Sequence, residues 1–290
     1  MVLEYLKLFV TFAKIGMFTI GGGYAMIPLI EREIVNKQWM NKEEFMLRKR
    51  LIELSNQAYS RDIVTFSDFL NLNELHILHT TPKDMLLTRY ETYGGYDMSE
   101  RQMAAFLPDA LYYEYEYPLK AVEITPLHQK FAEDLSHRDY LGALMNLGID
   151  RARLGDIVVD GKTAVVFAKE EITEYIAEHL FRIRHTEVRT VVKDASDINY
   201  DPKYEEIKGT VPSIRLDTVL STAYPLSRSK VTPYIENGKV FVNGKLITNN
   251  GYQLKPGDII SVRGMGRIKY EETLSETKKG RYMISVKKYI

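Results

Sequence analysis

Ser213-Ile214-Arg215-Leu216-Asp217, followed by Leu226-Ser227-Arg228-Ser229-Lys230, by Ile235-Glu236-Asn237-Gly238-Lys239-Val240-Phe241-Val242-Asn243-Gly244-Lys245 and by Leu254-Lys255-Pro256-Gly257-Asp258-Ile259-Ile260-Ser261-Val262-Arg263, predicts a helix, a turn, a second helix and a strand-turn-strand unit. Leu216, Val219 and Leu220 share one helical face, as do Val231, Tyr234 and Ile235. Ser227 is placed to cap the second helix, and Gly238 stands just past its end. Asn243-Gly244, between Val240-Phe241-Val242 and Leu246-Ile247, is a hairpin signal. Pro256-Gly257-Asp258 turns the chain into the apolar run from Ile259. Arg215, Arg228, Lys230 and Lys239 punctuate the helical pair, an arrangement suited to the phosphates of folded RNA.

The ordered set resembles the S4 RNA-binding domain, on the strength of RLD at 215–217, SRSK at 227–230, the run from Ile235 to Lys245 and the KPGDII turn at 255–260. The resemblance implies RNA contacts by Arg215, Arg228, Ser229, Lys230, Lys239, Asn243 and Lys245. Arg263, Arg267, Lys278, Lys279 and Arg281 extend that expected surface.

The chain of 290 residues has room for one to three domains, and its 39 basic and 39 acidic residues balance. That balance hides an asymmetry. From Val211 onward there are 14 Lys and Arg against 6 Asp and Glu, so the C-terminal part is basic and the remainder acidic. The absence of cysteine excludes disulfides, thiolate zinc sites and thiol catalysis, and fits a reducing cytoplasm.

Residues 1–45 differ in composition. Ile15 to Ile30 is uncharged but shorter than the roughly 20 residues of a spanning helix, and Gly21-Gly22-Gly23 weakens it as a helix. No Lys-Ser/Thr follows the glycines in P-loop fashion. Phe12 to Gly16, Thr19 to Ile30 and Trp39 to Phe45 resemble the start of chromate transporters. No candidate span follows Phe45. The segment therefore reads as a fused or misjoined hydrophobic fragment, with weak membrane association expected of residues 1–30.

Residues 46–117 read as an α/β unit. Leu47, Leu51, Leu54 and Ala58 share a helical face. Met85 to Tyr93 and Arg101 to Leu107 read as strands around Gly94-Gly95-Tyr96-Asp97. His76 and His79 fall on one helical turn, but no carboxylate pattern completes a metal site, so none is expected. His76-Ile77-Leu78-His79 also lacks the glycine of the synthetase HIGH motif. Tyr112 to Tyr117 interleaves Tyr with Glu, which repels phosphate, and reads as a linker or packing surface.

Residues 118–195 carry a β-α-β-β-α-β order, that of a ferredoxin-like fold. The elements are Ala121 to Ile124, Arg138 to Leu147, Asp156 to Val159, Thr163 to Phe167, Glu171 to Phe181 and Glu187 to Val192. The aromatic signature of RRM readers is missing, so base stacking on this sheet is not expected. Ser136-His137-Arg138-Asp139 reads as a capped helix start. It is not a kinase catalytic loop, because Leu144 stands at the Asn position and no DFG occurs. Nor can adjacent residues converge as a catalytic triad. Arg138, Arg151 and Arg153 fit two readings equally, an RNA-facing edge or pairing with Asp139, Asp150 or Asp156.

A wider likeness joins these parts. Leu135 to Ile149, Arg151, Leu154 to Ile157, Gly94 to Arg101, the RLD and SRSK segments and Thr277 to Arg281 together resemble the bacterial YlmH-type S4 proteins over about residues 45–290. Pro212, Gly244 and Met265 depart from that pattern. The resemblance implies a ferredoxin-like middle domain, an S4 domain over 210–272 and a basic tail over 273–290. It further implies a cytoplasmic, monomeric, non-catalytic, cofactor-free factor that binds rRNA and tRNA on the large ribosomal subunit, in quality control of stalled nascent chains. Two alternatives stand beside it. S4 domains accompany pseudouridine synthases, whose RLD Arg215-Leu216-Asp217 mimics, and residues 1–45 admit a membrane reading.

Overall fold

The computed structural model describes residues 13, 30–33, 41–198, 203–278 and 280–289. Among residues 1–40 those described are helical. Most of the chromate-transporter-like segment, with its expected hydrophobic helix, lies outside the described residues, as does Lys279. Among the described residues no helix is long and apolar enough to cross a membrane.

The first unit opens with α1 (Lys42–Arg61), capped by the Asn41 side chain, which accepts from the Glu44 amide at 2.7 Å. It continues through β1 (Thr65–Leu70), α2 (Leu72–Thr80), β2 (Arg89–Tyr93) and β3 (Gln102–Leu107). Asn71 and Glu74 cap α2 reciprocally. The sheet order is β1-β3-β2, antiparallel throughout. Leu51, Leu54 and Ala58, at helical spacing, are buried against Leu75, Leu78 and Phe106. The strand expected from Met85 begins later, at Arg89, because Lys83–Met85 forms a 3-10 turn after Pro82.

The second unit comprises β4 (Leu119–Pro126), α3 (His137–Asn146), β5 (Leu154–Asp160), β6 (Thr163–Lys169), α4 (Glu170–His179), a short β7 (Arg182–Ile183) and β8 (Thr186–Asp194). Its sheet order, β5-β6-β4-β8-β7, is the ferredoxin-like arrangement with β7 added at one edge. Alternation along β4 and β6 buries Val122, Ile124, Ala164 and Val166 against Tyr140, Leu144, Ile172 and Ile176 of α3 and α4. Ser136 and Asp139 form the expected capping box, with Ser136 N and Oγ at 2.8 and 2.7 Å from Asp139 Oδ2.

The third unit contains β9 (Tyr204–Val211), α5 (Leu216–Ala223), α6 (Arg228–Glu236), β10 (Val240–Val242), β11 (Lys245–Leu246), β12 (Ile259–Val262), β13 (Gly266–Glu276) and β14 (Tyr282–Tyr289). The sheet runs β11-β10-β12-β13-β14-β9. One face takes α5 and α6 into a core of Leu216, Val219, Leu220, Val231, Ile235, Ile260, Ile268, Tyr270, Ile284 and Val286. Asn243 and Gly244, at φ 47° and 76°, make the two-residue turn between β10 and β11. In the stretch 273–290, expected as a basic tail, the described residues are mostly paired strand. They hold the end of β13 and all of β14, because Ile284 and Val286 alternate with polar neighbours and are buried. β14 also pairs along its whole length with β9.

The units meet through polar contacts. The Asp156 carboxylate accepts from Tyr96 Oη at 2.8 Å and from the amides of Glu100 and Arg101 at 2.7 and 3.1 Å. Arg101 donates to the carbonyls of Phe69, Arg151 and Leu154. Burial lowers the pKa of its guanidinium, with nearby carboxylates opposing the shift. The apolar seam beneath is Phe69, Met103, Leu119, Ala121 and Phe167.

Candidate nucleic-acid interface

The first turn of α5 fixes one cation. Asp217 is 5% exposed, and its carboxylate receives Arg215 Nε and Nη2 in a two-pronged pair, each bond 3.1 Å long. Such a fork sets guanidinium orientation as well as charge. Arg215 also occupies the N-cap of α5, where its amide donates to Thr218 Oγ1 at 3.2 Å. The Asp217 carboxylate suits the positive end of the helix macrodipole.

Four further cations gather around α6 and the adjoining sheet end. Arg228 and Lys230 are exposed in the first turn of α6. Ser229 between them shares a 2.9 Å hydrogen bond with Ser227 Oγ. Gly238, at φ 68°, ends α6 and releases Lys239, whose ammonium lies 5.4 Å from the centre of the Tyr234 ring. Arg263 lies 5.3 Å over Phe241, and its amide donates to the Lys239 carbonyl at 2.9 Å. Among the described residues Arg228, Lys230, Lys239, Arg263 and the exposed Lys245 form no ion pair. None of these five is held by a carboxylate in an ion pair among the described residues, so each can be met by phosphate.

Other expected contacts lie elsewhere. Asn243 is occupied in its own turn: Nδ2 donates to Asp258 at 2.8 Å, and Oδ1 accepts from the Ile259 amide at 2.9 Å. Arg267 is a correction. Its guanidinium points inward, donates to the Met98 carbonyl and stands 3.9 Å from both Asp156 and Glu100. Burial, the largest influence, pushes its pKa down, but the neighbouring Tyr96 and the Asp156 and Glu100 carboxylates together raise it above the ordinary guanidinium value. Lys278 is exposed beyond the end of β13, whose 11 residues span about 35 Å from the Arg263 end. Arg281 donates to the Thr210 carbonyl at 3.1 Å.

In the second unit the three expected arginines separate. Arg138 is exposed on α3. Arg151 turns its guanidinium onto the carbonyls of Leu154 and Gly155, at 2.7 and 3.0 Å. Burial, with Arg101 nearby, brings its pKa down to about 10. Arg153 stands 3.6 Å from Glu171, and Asp139 pairs with Arg184 at 2.7 Å. The carboxylate partners named from sequence are therefore not the ones these arginines use.

Among the described residues no group of His, Asp or Glu could hold a metal ion. His79 Nδ1 instead meets Tyr90 Oη at 3.1 Å, and His76 Nδ1 accepts from the Leu246 amide at 3.1 Å. Burial is the largest cause lowering both imidazole pKa values, with the Lys245 charge adding to it. His76, Arg101 and Asp156 thus join units that sequence reasoning treated one by one. A lone histidine or a Gly-Asp pair gives no local signal for a partner more than 50 positions away.

The chain matches three family models: "Putative RNA-binding domain in YlmH" over residues 113–197, the S4 domain over 214–260 and the chromate transporter over 6–54. It is 30% identical over 252 residues to the Ribosome-associated protein quality control protein P2 of Bacillus subtilis, covering 86% of this chain and 96% of that protein. Shorter matches centre on the S4 part. The dual-specificity RNA pseudouridine synthase RluF of Escherichia coli is 46% identical over 52 residues, 18% of each chain. Small ribosomal subunit protein uS4 of Dictyoglomus turgidum is 36% identical over 62 residues, 21% of this chain and 30% of that protein. A solved structure titled as the cell division protein ylmH of Streptococcus pneumoniae aligns with 56% of this chain and 97% of its own, at 20% identity and a TM-score of 0.45.

Proposed function

The chain belongs to the YlmH family of S4-domain proteins, and from that premise we propose that it is a non-catalytic RNA-binding protein of the ribosome. The observation that carries the reading is the set of exposed cations of the S4 unit that form no ion pair among the described residues: Arg228, Lys230, Lys239 and Arg263, with the forked Arg215. Each offers a point charge or a planar donor set to a phosphate oxygen. Arg215 is held by Asp217 and meets RNA with little loss of side-chain freedom. Arg267, turned inward, and Asn243, engaged within its own exposed turn, serve the fold and leave the proposed surface.

The finer reading is that this surface engages rRNA and tRNA on the large ribosomal subunit, in the cytoplasm, while a stalled nascent chain is handled. The relative's name supplies the quality-control setting. The pseudouridine synthase likeness is confined to 18% of the chain and does not extend to a catalytic domain of those proteins. Co-sedimentation with purified large and small subunits at low and high salt tests the proposal. Salt-sensitive recovery with the large subunit is expected. Recovery with neither subunit, with folding intact, overturns it. A uridine-modification assay on the same RNA separates binding from enzymatic action.

A further inference from the structure

We propose that a second site, on the opposite face of the S4 sheet from α5 and α6, binds a nucleoside phosphate, either as a free mononucleotide or as an unpaired nucleotide of RNA. The proposal rests on the RNA-binding reading and adds a contact that the S4 helices do not make. Along β14, Ile284 and Val286 point into the helical core, so Lys287 and Tyr289 alternate to the other face. That face borders a cleft of about 480 Å³ between the sheet, the loop after β2 and the segment after β8.

Two kinds of group line the cleft. Tyr93, Tyr204 and Tyr289 supply rings, with Tyr204 and Tyr289 paired across β9 and β14 at a centroid distance of 6.4 Å. Tyr204 is 46% exposed and so offers ring surface to a ligand. Lys269 and Lys287 are cross-strand neighbours. Their ammonium groups lie 3.2 and 3.3 Å from the same oxygen, Glu271 Oε1. Asp97 also lines the cleft, so its lysines and carboxylates balance, and the two ammonium groups meet a phosphate as hydrogen-bond donors rather than through excess charge. Lys287 also sits 4.6 Å over the Tyr204 ring, so the cationic and aromatic parts are held next to each other. An aromatic base and a phosphate one sugar apart present the complementary pair.

The test uses the full chain and two ligand forms. Equilibrium dialysis reports uridine and adenosine 5′-monophosphate, and fluorescence reports a single-stranded hexanucleotide containing 2-aminopurine. Saturable binding is expected, weakened about tenfold by Tyr204→Ala and by Lys287→Gln, with inorganic phosphate a poor competitor. Circular dichroism and melting temperature check that both variants are folded. Binding of the mononucleotide assigns a free metabolite to the site, and binding of the hexanucleotide alone assigns RNA; either supports the shared chemistry. No saturable binding of either form, equal binding by both variants, or full displacement by inorganic phosphate overturns the site. Retention of structured rRNA by a protein that binds neither nucleotide form overturns the cleft alone. Loss of both overturns the RNA-binding reading with it.

Discussion

Arg215 and Asp217 form a two-pronged ion pair across the first turn of α5, Nε to Oδ1 and Nη2 to Oδ2, each at 3.1 Å. The pair separates two effects that usually travel together. Asp217→Ala adds a net positive charge, so bulk electrostatics favours tighter RNA binding. It also frees the Arg215 side chain and empties a buried position. If Arg215 acts through its orientation, the variant binds structured rRNA several-fold more weakly despite the added charge. Filter binding at fixed salt measures this, and tighter binding contradicts the positioning role.

Arg267 was expected on the RNA surface and instead clamps the S4 unit to Met98, Glu100 and Asp156. Removing one partner of a largely buried polar network costs about 2–4 kcal/mol. Arg267→Ala is therefore expected to lower the urea midpoint markedly while changing rRNA affinity of the folded protein less than threefold. An affinity loss as large as that of an Arg228 variant returns Arg267 to the interface.

Gly244 sits where a side chain fails for two reasons. Its φ is 76°, and a Cβ there meets His79 Nε2 and Leu75 Cβ at 3.3 Å. The left-handed backbone alone costs a non-glycine residue about 1 kcal/mol. Gly244→Ala is expected to destabilise the chain by about 1–2 kcal/mol in urea unfolding. A variant as stable as the parent shows that α2 yields to the new methyl group.

His76 requires a neutral Nδ1 to accept from the Leu246 amide. Burial first, then Lys245 and Arg48, lowers its pKa below the ordinary value near 6.5, and Glu44 opposes this. The unfolded chain consequently takes up the proton first as pH falls. The contribution is fully present above about pH 6.5 and declines as pH drops through that value toward the folded pKa. His79 shifts in the same direction. His76→Asn keeps an acceptor at the same reach and removes the titration. Its stability is expected to vary less than the parent's between pH 7.5 and 5.5, and equal slopes in the two proteins contradict the assignment.

Local pattern made much of this architecture readable. Leu216, Val219 and Leu220 at helical spacing, Asn243-Gly244 between β-branched runs, and the Ser136-Asp139 cap each describe a contact within a few positions, and the structure contains all three. Long-range pairing was hidden. The stretch from 273 onward reads as a basic tail because Lys278, Lys279, Arg281, Lys287 and Lys288 fall in it, while the pairing of β14 with β9 joins residues about 80 positions apart. For the same reason Arg267 and Arg263 look alike in sequence. They differ because a strand sends one side chain toward Met98 and leaves the other over Phe241. Charge was legible; the direction in which each cation points was not.

The most direct test is the salt dependence of binding to a large-subunit rRNA fragment. It compares the parent chain with an Arg228→Glu, Lys230→Glu variant whose melting temperature is unchanged. If these residues neutralise phosphates, affinity falls at every salt concentration, and the slope of log affinity against log salt becomes shallower by about 2. Equal affinity and equal slope in the two proteins contradict the account.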